Sequence, residues 1–589
     1  MLGKIIEVNN KTIKIKLNII LDEIDNLVDR YVMIEDDDKK IVGKITNMNL
    51  EEAQIELIGQ LVKNKFVYGL ILKPSFKSSI KVISNEKIDY IIGIEHYNEK
   101  QHLYLGTSPI YEDVKVGVKI DDFFSNHFAI FGNTGSGKSC SLARILQNLL
   151  AKEEYIPYKS NIFIFDAYGE YSNAFSNINS KSLDISFKQY TTNLKSKKNL
   201  LNIPPWLLKV DDLALLLNVN NINQIPVIET SLKLVTIFAS EENKVTKQKN
   251  NIIARTILDI LSSGKEAGQI RDQIFSVLTY YHTSELNLDT EIYQPGYTRA
   301  LKQCFIIDST GKIREMEMLI NFFSSFITDD LEMKLPDGSF KYTLQDLKEA
   351  LDFALISEGS LKSEKVYDEY NNLKIRLDNL LNSEYKAYFD CDKYLTKEQF
   401  ICDLLVTSDK KKAQIVNFDI NYVDDRFAKT IVKIYSRILF DYAKNLKNRA
   451  SFPIHLILEE AHRYIQNDND INIIGYNIFE RIAKEGRKYA TILGVVSQRP
   501  MELSETVLSQ CSNFLIFKMF HPKDLEYIKE ILPNLTETEY EKFKTLPPGI
   551  CIAFGNAFKM SSFIKFDMPY PIPSSSNAKI SDIWFLEKV

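Results

Sequence analysis

Residues 128–149 read FAIFGNTGSGKSCSLARILQNL. A short apolar run, Phe128 to Phe131, predicts a buried strand. It leads directly into Gly132-Asn133-Thr134-Gly135-Ser136-Gly137-Lys138-Ser139. That octapeptide fits G-x-x-x-x-G-K-[ST] at every fixed position. Leu142, Ile145, Leu146 and Leu149 then recur at helical spacing. Strand, glycine loop and helix together form the context of a phosphate-binding loop. The glycines let the backbone curl so that its N–H groups point at phosphates, and the helix N-terminus adds partial positive charge. Lys138 reaches the β- and γ-phosphates, and the Ser139 hydroxyl ligates Mg2+. Cys140 follows in the first turn of the helix.

The chain has 589 residues, which calls for two to four domains. Hydrophobic residues make up 45% and charged residues 26%, the balance of a soluble globular protein. With 73 basic and 78 acidic residues the net charge is −5, so any nucleic-acid contact must come from a local basic patch. Six cysteines form no C-x-x-C pair and no zinc-spaced cluster, which predicts free thiols in a reducing compartment. The N-terminus is broken by Lys and Asn and is no signal peptide. No apolar run approaches the ~18 residues of a membrane span. These features predict a cytoplasmic protein.

Residues 1–118 carry short alternating runs with polar turns, the pattern of a small β-barrel. From 119 to 205 the pattern is α/β. Its second buried run, Ile162 to Phe165, ends in Asp166-Ala167-Tyr168-Gly169-Glu170-Tyr171. Acids at the C-terminal end of a strand face the ligand crevice of a parallel sheet. Asp166 and Glu170 are therefore candidate nucleotide contacts. Helical periodicity dominates 206–404, where Lys244, Lys247 and Lys249 read as a solvated loop between helices. The α/β pattern resumes over 405–564, and a proline-punctuated extended tail fills 565–589.

Within the resumed core, the run Ile454 to Leu458 ends in Glu459-Glu460. One acid can hold Mg2+ through its water shell and the other can polarise an attacking water. Glu459 stands where an aspartate is more usual. Adjacent strand residues point to opposite faces, so the chain must turn at this point for both to reach the crevice. Phosphoryl transfer also requires positive charge on the γ-phosphate. Arg481 and Arg487 lie in FERIAKEGRKYA, where Gly486 reads as the glycine that ends a helix. The next strand ends in Ser497-Gln498-Arg499, which places Gln498 as a γ-phosphate sensor.

The segments NHFAIFGNTGSGKS, FDAYGEY, LILEEAHRY and RIAKEGRKYATILGVVSQRPMELSETVLSQCSNFLIF resemble the HerA branch of the FtsK/HerA superfamily of hexameric DNA-translocating ATPases. The resemblance implies a RecA-like P-loop core with a small N-terminal β-barrel and a helical insertion. It implies ATP and Mg2+ at subunit interfaces of a homohexamer, and DNA in a central channel. It further implies a NurA-like nuclease partner, or an antiphage effector with nuclease or sirtuin-like activity. On matching positions, Lys138 and Ser139 take the phosphate-loop roles, Glu460 is the catalytic acid and Gln498 the sensor. Arg487 is the first choice for a finger supplied to the neighbouring subunit, with Arg481 second. A different class of function remains open: an ATP-dependent ring scaffold that activates an effector nuclease with little motor action.

Overall fold

The computed structural model describes residues 2–18, 27–36, 39–63, 65–84, 88, 91–92, 98–111, 114–152, 155–178, 185–196, 199–328, 341–359, 364–466, 470–532, 537–574 and 580–585. The chain divides into two compact units. One comprises Met1–Asn199, Ile401–Asp468 and Ile478–Val589, and the other comprises Leu200–Phe400 and Asn469–Asn477.

The first unit begins with seven strands: β1 (Gly3–Val8), β2 (Thr12–Leu17), β3 (Tyr31–Asp36), β4 (Lys39–Met48), β5 (Glu52–Val62), β6 (Lys65–Tyr68) and β7 (Ser79–Val82). All neighbours are antiparallel, in the order β1-β2-β5-β4-β3-β7, with β6 added to β5. The alternation in Thr12-Ile13-Lys14-Ile15-Lys16 turns both isoleucines into the core and keeps the polar residues outward. The sheet is curled, and Leu2 N donates to Ile80 O at 2.8 Å across its two outer strands. Among the described residues no ladder joins β1 to β7, so the sheet they form is open where the sequence predicts a small barrel.

The next strands are β8 (His102–Thr107), β9 (Lys115–Lys119), β10 (His127–Phe131), β11 (Ile162–Asp166) and β12 (Ser186–Thr191). The second unit interposes a hairpin, β13 (Glu291–Gln294) and β14 (Tyr297–Ala300). The first unit then resumes with β15 (Ala413–Asp419), β16 (Ile454–Leu458), β17 (Thr491–Ser497), β18 (Cys511–Ile516), β19 (Ile550–Gly555) and β20 (Ser562–Phe566). Eleven of these strands form one sheet, in the order β12-β15-β11-β16-β17-β10-β18-β19-β20-β8-β9. From β12 to β18 every pair is parallel, and from β18 to β9 every pair is antiparallel. Strands β10, β11, β15, β16 and β17 are buried along their whole length, as a sheet covered on both faces requires. Because they run parallel, their C-terminal ends share one edge.

Strands β8 and β9 belong to this sheet because β20 leaves an open edge, on which Lys565 pairs with Thr107. The N-terminal sheet ends with β7 at Val82, and β8 and β9, within the β-rich region 1–118, pair into the second sheet. On the sheet's face, the helix Lys138–Leu150 buries Leu142, Ile145, Leu146 and Leu149. The tail is not extended throughout, since Ile580–Trp584 forms a short helix.

The second unit is mainly helical, with Val210–Leu216, Ile225–Phe238, Glu242–Leu261, Ala267–Tyr280, Met316–Ser324, Leu344–Gly359 and Glu364–Asn382 as its helices. The run Lys244, Lys247, Lys249 lies within Glu242–Leu261 and not in a loop. That helix is bent at Val245, whose φ is −134°. Among the described residues no helix is long and apolar enough to cross a membrane.

Candidate functional site

The phosphate loop joins β10 to the helix Lys138–Leu150 through backbone that only glycine adopts easily. Gly135 has φ +73° and Gly137 φ +109°. A Cβ on Gly137 would lie 2.9 Å from Gly549 N, and that N–H donates to Ser136 O at 2.9 Å. Lys138 is buried, with Nζ donating to Asn133 O at 3.2 Å. Burial lowers its pKa, against the opposing charges of Glu459, Glu460 and Glu170. Ser136 Oγ is buried without a hydrogen-bond partner among the described residues. Cys140, half-buried in the first helical turn, is in no disulfide.

Strand β16 delivers both acids to the same edge. Glu459 N donates to Phe165 O at 3.1 Å, which keeps Glu459 in register with β11. Its side chain is buried: Oε1 accepts from Ser139 Oγ at 3.3 Å and Oε2 from Tyr171 Oη at 2.7 Å. Burial pushes the Glu459 carboxyl up to about 8, with the Tyr171 hydrogen bond opposing. Glu460 has φ +49°, a left-handed conformation that costs a non-glycine residue roughly 1–2 kcal/mol. This bend breaks the strand alternation and brings the second acid beside the first. The Gln498 backbone N–H faces the Glu460 carboxylate, and burial raises the Glu460 pKa. Glu460 Oε2 is 3.3 Å from His462 Nδ1 without hydrogen-bond geometry, and His462 Nδ1 lies 3.1 Å from Ser497 Oγ. Burial holds His462 below its ordinary pKa.

Gln498, just past β17, accepts from Thr134 Oγ1 at 2.8 Å. It therefore touches the phosphate loop with its side chain and faces Glu460 with its backbone. Beside it a cavity of about 560 Å³ opens between Asn133, Thr134, Gln498, Arg499, Phe520 and Lys523. Glu170 is half-buried with Oε2 unpartnered, and its carboxyl faces the Ser139 hydroxyl.

Asp166, predicted as a nucleotide contact, has a different position. It is fully buried, and its carboxylate accepts from Glu170 N (3.0 Å), Tyr171 N (2.9 Å) and Asn417 Nδ2 (3.1 Å). Asp166 holds the turn that presents Glu170 and Tyr171, and its oxygens are occupied.

The two arginines are not brought to this edge. Arg487 lies in the turn Gly486–Tyr489, before β17, whereas Gln498 lies after it. Seven strand residues span about 20 Å, so Arg487 is at the opposite edge of the sheet from its own phosphate loop. Arg487 is exposed and makes no ion pair among the described residues, while Arg481 lies 3.9 Å from Glu485 Oε1. Gly486 does not take the left-handed conformation of a helix-ending glycine, a role that falls to Ala490 at φ +53°. Glycine is needed at 486 because a Cβ there would lie 2.3 Å from Thr491 O.

Lys138, Ser139, Glu170, Glu459, Glu460 and Gln498 thus converge. The orphaned Ser136 hydroxyl can donate to a phosphate oxygen, and the orphaned Glu460 oxygen can accept from a water beside it. Among the described residues no group of three His, Cys, Asp or Glu could hold a metal alone. That suits Mg2+, which takes few protein ligands and completes its shell with phosphate and water. Sequence reasoning passed over Tyr171 and His462, although both stand inside the segments FDAYGEY and LILEEAHRY.

The family model for the central domain of the helicase HerA matches residues 103–439. The chain is 27% identical over 249 residues to the DNA double-strand break repair helicase HerA of Saccharolobus solfataricus, covering 41% of this chain and 47% of that protein. It is 30% identical over 251 residues to the protein of the same name from Sulfurisphaera tokodaii, covering 40% and 49%. The chain thus spans about half the length of these two curated relatives. The Sulfolobus acidocaldarius protein of that name is 24% identical over 585 residues, covering 94% of this chain and 91% of its own length. Among solved structures, VirB4 of Thermoanaerobacter pseudethanolicus superposes with a TM-score of 0.45 and 13% identity, over 81% of this chain and 99% of that one.

Proposed function

The chain belongs to the HerA helicase family, and from that premise we propose that it is an ATP-hydrolysing DNA translocase of the helicase type, working as a homohexamer. The observation that carries this is the left-handed bend at Glu460. It sets a second acid beside Glu459 and within the same electrostatic cluster as Lys138. A site that only bound nucleotide would not need that strain.

The phosphate-loop amides and Lys138 hold the β- and γ-phosphates. Ser139 and Glu459 would hold Mg2+, and Glu170 is a third acid facing the same hydroxyl. When bound, Mg2+ neutralises charge on the phosphate oxygens. Glu460 orients the attacking water and accepts its proton. Gln498 links the loop to Glu460, so that γ-phosphate contact and the position of the acid change together. Arg487 serves the neighbouring subunit's site. Its free guanidinium, at the edge opposite its own loop, supports this, as does the cavity beside Gln498 that leaves room for an entering side chain.

The helical unit is an insertion into the ATPase core. Double-strand break repair, the role for which the relatives are named, calls for a nuclease partner that acts on the ends the motor feeds to it. The test is ATPase rate with and without duplex DNA, measured beside mass in solution. A hexamer stimulated by DNA is the expected result. Hydrolysis indifferent to DNA would overturn the motor and favour a ring scaffold for an effector nuclease.

A further inference from the structure

Glu459 has one more rotatable bond than the aspartate usual at its position, so its carboxylate needs a further constraint to stay in one place. The structure provides one in Tyr171. This side chain is fully buried, and its ring stacks on Phe175 with centroids 6.4 Å apart and planes 11° from parallel. Its hydroxyl donates to Glu459 Oε2 at 2.7 Å, which leaves Oε1 facing Ser139 Oγ at 3.3 Å. Tyr171 is itself fixed from behind: its backbone N–H donates to Asp166 Oδ2 at 2.9 Å, and the same oxygen accepts from Asn417 Nδ2 at 3.1 Å. A chain of hydrogen bonds therefore runs from β15 through Asp166 and Tyr171 to Glu459, and ends at the hydroxyl of the phosphate loop.

We infer that Tyr171 is a positioning residue for the divalent cation of the nucleotide site. It fixes the Glu459 carboxylate so that a single oxygen faces Ser139, and it acts only through Glu459. The inference rests on the nucleotide site proposed above. Without the phenol, Glu459 is free to turn away from Ser139, and cation affinity falls while the metal-independent contacts of the triphosphate remain. Partners of this kind, behind a metal ligand, typically contribute 10- to 100-fold in metal affinity.

The test titrates Mg2+ against binding of a fluorescent ATP analogue to the full chain, for wild type, Tyr171→Phe, Glu459→Gln and the double variant. Phenylalanine keeps the stacked ring, and the thermal midpoint without ligand checks that Tyr171→Phe is folded. The expected result is a roughly tenfold rise in the Mg2+ concentration for half-maximal binding in Tyr171→Phe, with binding in EDTA unchanged. Tyr171→Phe should add nothing in the Glu459→Gln background. Equal Mg2+ dependence in wild type and Tyr171→Phe would overturn the inference, as would an undiminished effect in the Glu459→Gln background. If wild type and Lys138→Ala alike bind no nucleotide, the site itself is refuted. Binding by wild type with no shift in Tyr171→Phe removes Tyr171's role and leaves the site standing.

Discussion

His127 opens β10 and ties it to the segment that carries Arg487. Its Nε2 lies 3.0 Å from Ala483 O and its Nδ1 accepts from Leu493 N at 2.9 Å. The Leu493 bond requires the neutral ring, because an imidazolium has no acceptor for that N–H, whereas the bond to Ala483 O survives protonation and opposes the shift. Burial lowers its pKa to about 4, and the nearby Arg487 and His455 push in the same direction. The unfolded chain titrates at about 6.5, so between these values the unfolded state binds more protons and stability rises with pH. The contribution is complete above pH 6.5 and is lost as pH falls toward 4. Integrated from pH 7.5 to 4.5, a shift of this size removes about 2.5 kcal/mol. Glu170 and Glu460, with pKa values raised by burial, act with the opposite sign. The informative quantity is therefore the difference between wild type and His127→Gln, which has no titrating group at that position. Urea unfolding followed by circular dichroism at several pH values measures it. Wild type should lose about 2.5 kcal/mol more than His127→Gln between pH 7.5 and 4.5. Parallel curves for the two proteins would refute the assignment of a buried neutral imidazole.

Gly137→Ala places a methyl 2.9 Å from Gly549 N at φ +109°, so nucleotide binding should fall at least tenfold and the thermal midpoint should drop. Equilibrium binding of a fluorescent ATP analogue reads the first effect and a melting curve the second. Glu460→Gln should keep nucleotide affinity and slow hydrolysis by about 10²- to 10⁴-fold in single-turnover assays. Retained turnover would reassign the base. Arg487→Ala should bind nucleotide and hydrolyse about 10³-fold more slowly. Mixed with Lys138→Ala, it should regain activity, because some interfaces then pair an intact loop with an intact arginine. Additive inactivity in the mixture would place Arg487 outside the site.

The contiguous parts of the site were legible in the sequence. The phosphate loop is one uninterrupted motif, and strands buried on both faces leave apolar runs that end at their acids. Asp166 shows where that logic stops: an acid at the end of a strand looks the same whether it faces a ligand or accepts four bonds from its own turn and a neighbour. The extension of the sheet was equally hidden, because β8 pairs with β20 from more than 450 positions away in the chain and no local pattern marks the partner. Gly486 was read through the commonest use of glycine, a left-handed turn, when its actual constraint is the nearby carbonyl of Thr491.

Glu460 carries a cost that can be measured apart from catalysis. Its left-handed backbone lies between β16, which is in register with β11, and the turn Ala461–Arg463. Replacing the side chain with glycine or alanine removes the buried carboxyl in both cases, so the two variants differ only in how they tolerate φ +49°. At an extended or helical position alanine is the more stable, because glycine loses more entropy on folding. At a left-handed position the order reverses, and Glu460→Gly should exceed Glu460→Ala by about 1 kcal/mol in urea unfolding. Both variants should be inactive. An alanine variant as stable as the glycine variant would mean that the backbone relaxes out of the left-handed region once the carboxyl is gone. The side chain's contacts with Gln498, and not the flanking strand and turn, would then be what holds the second acid in place.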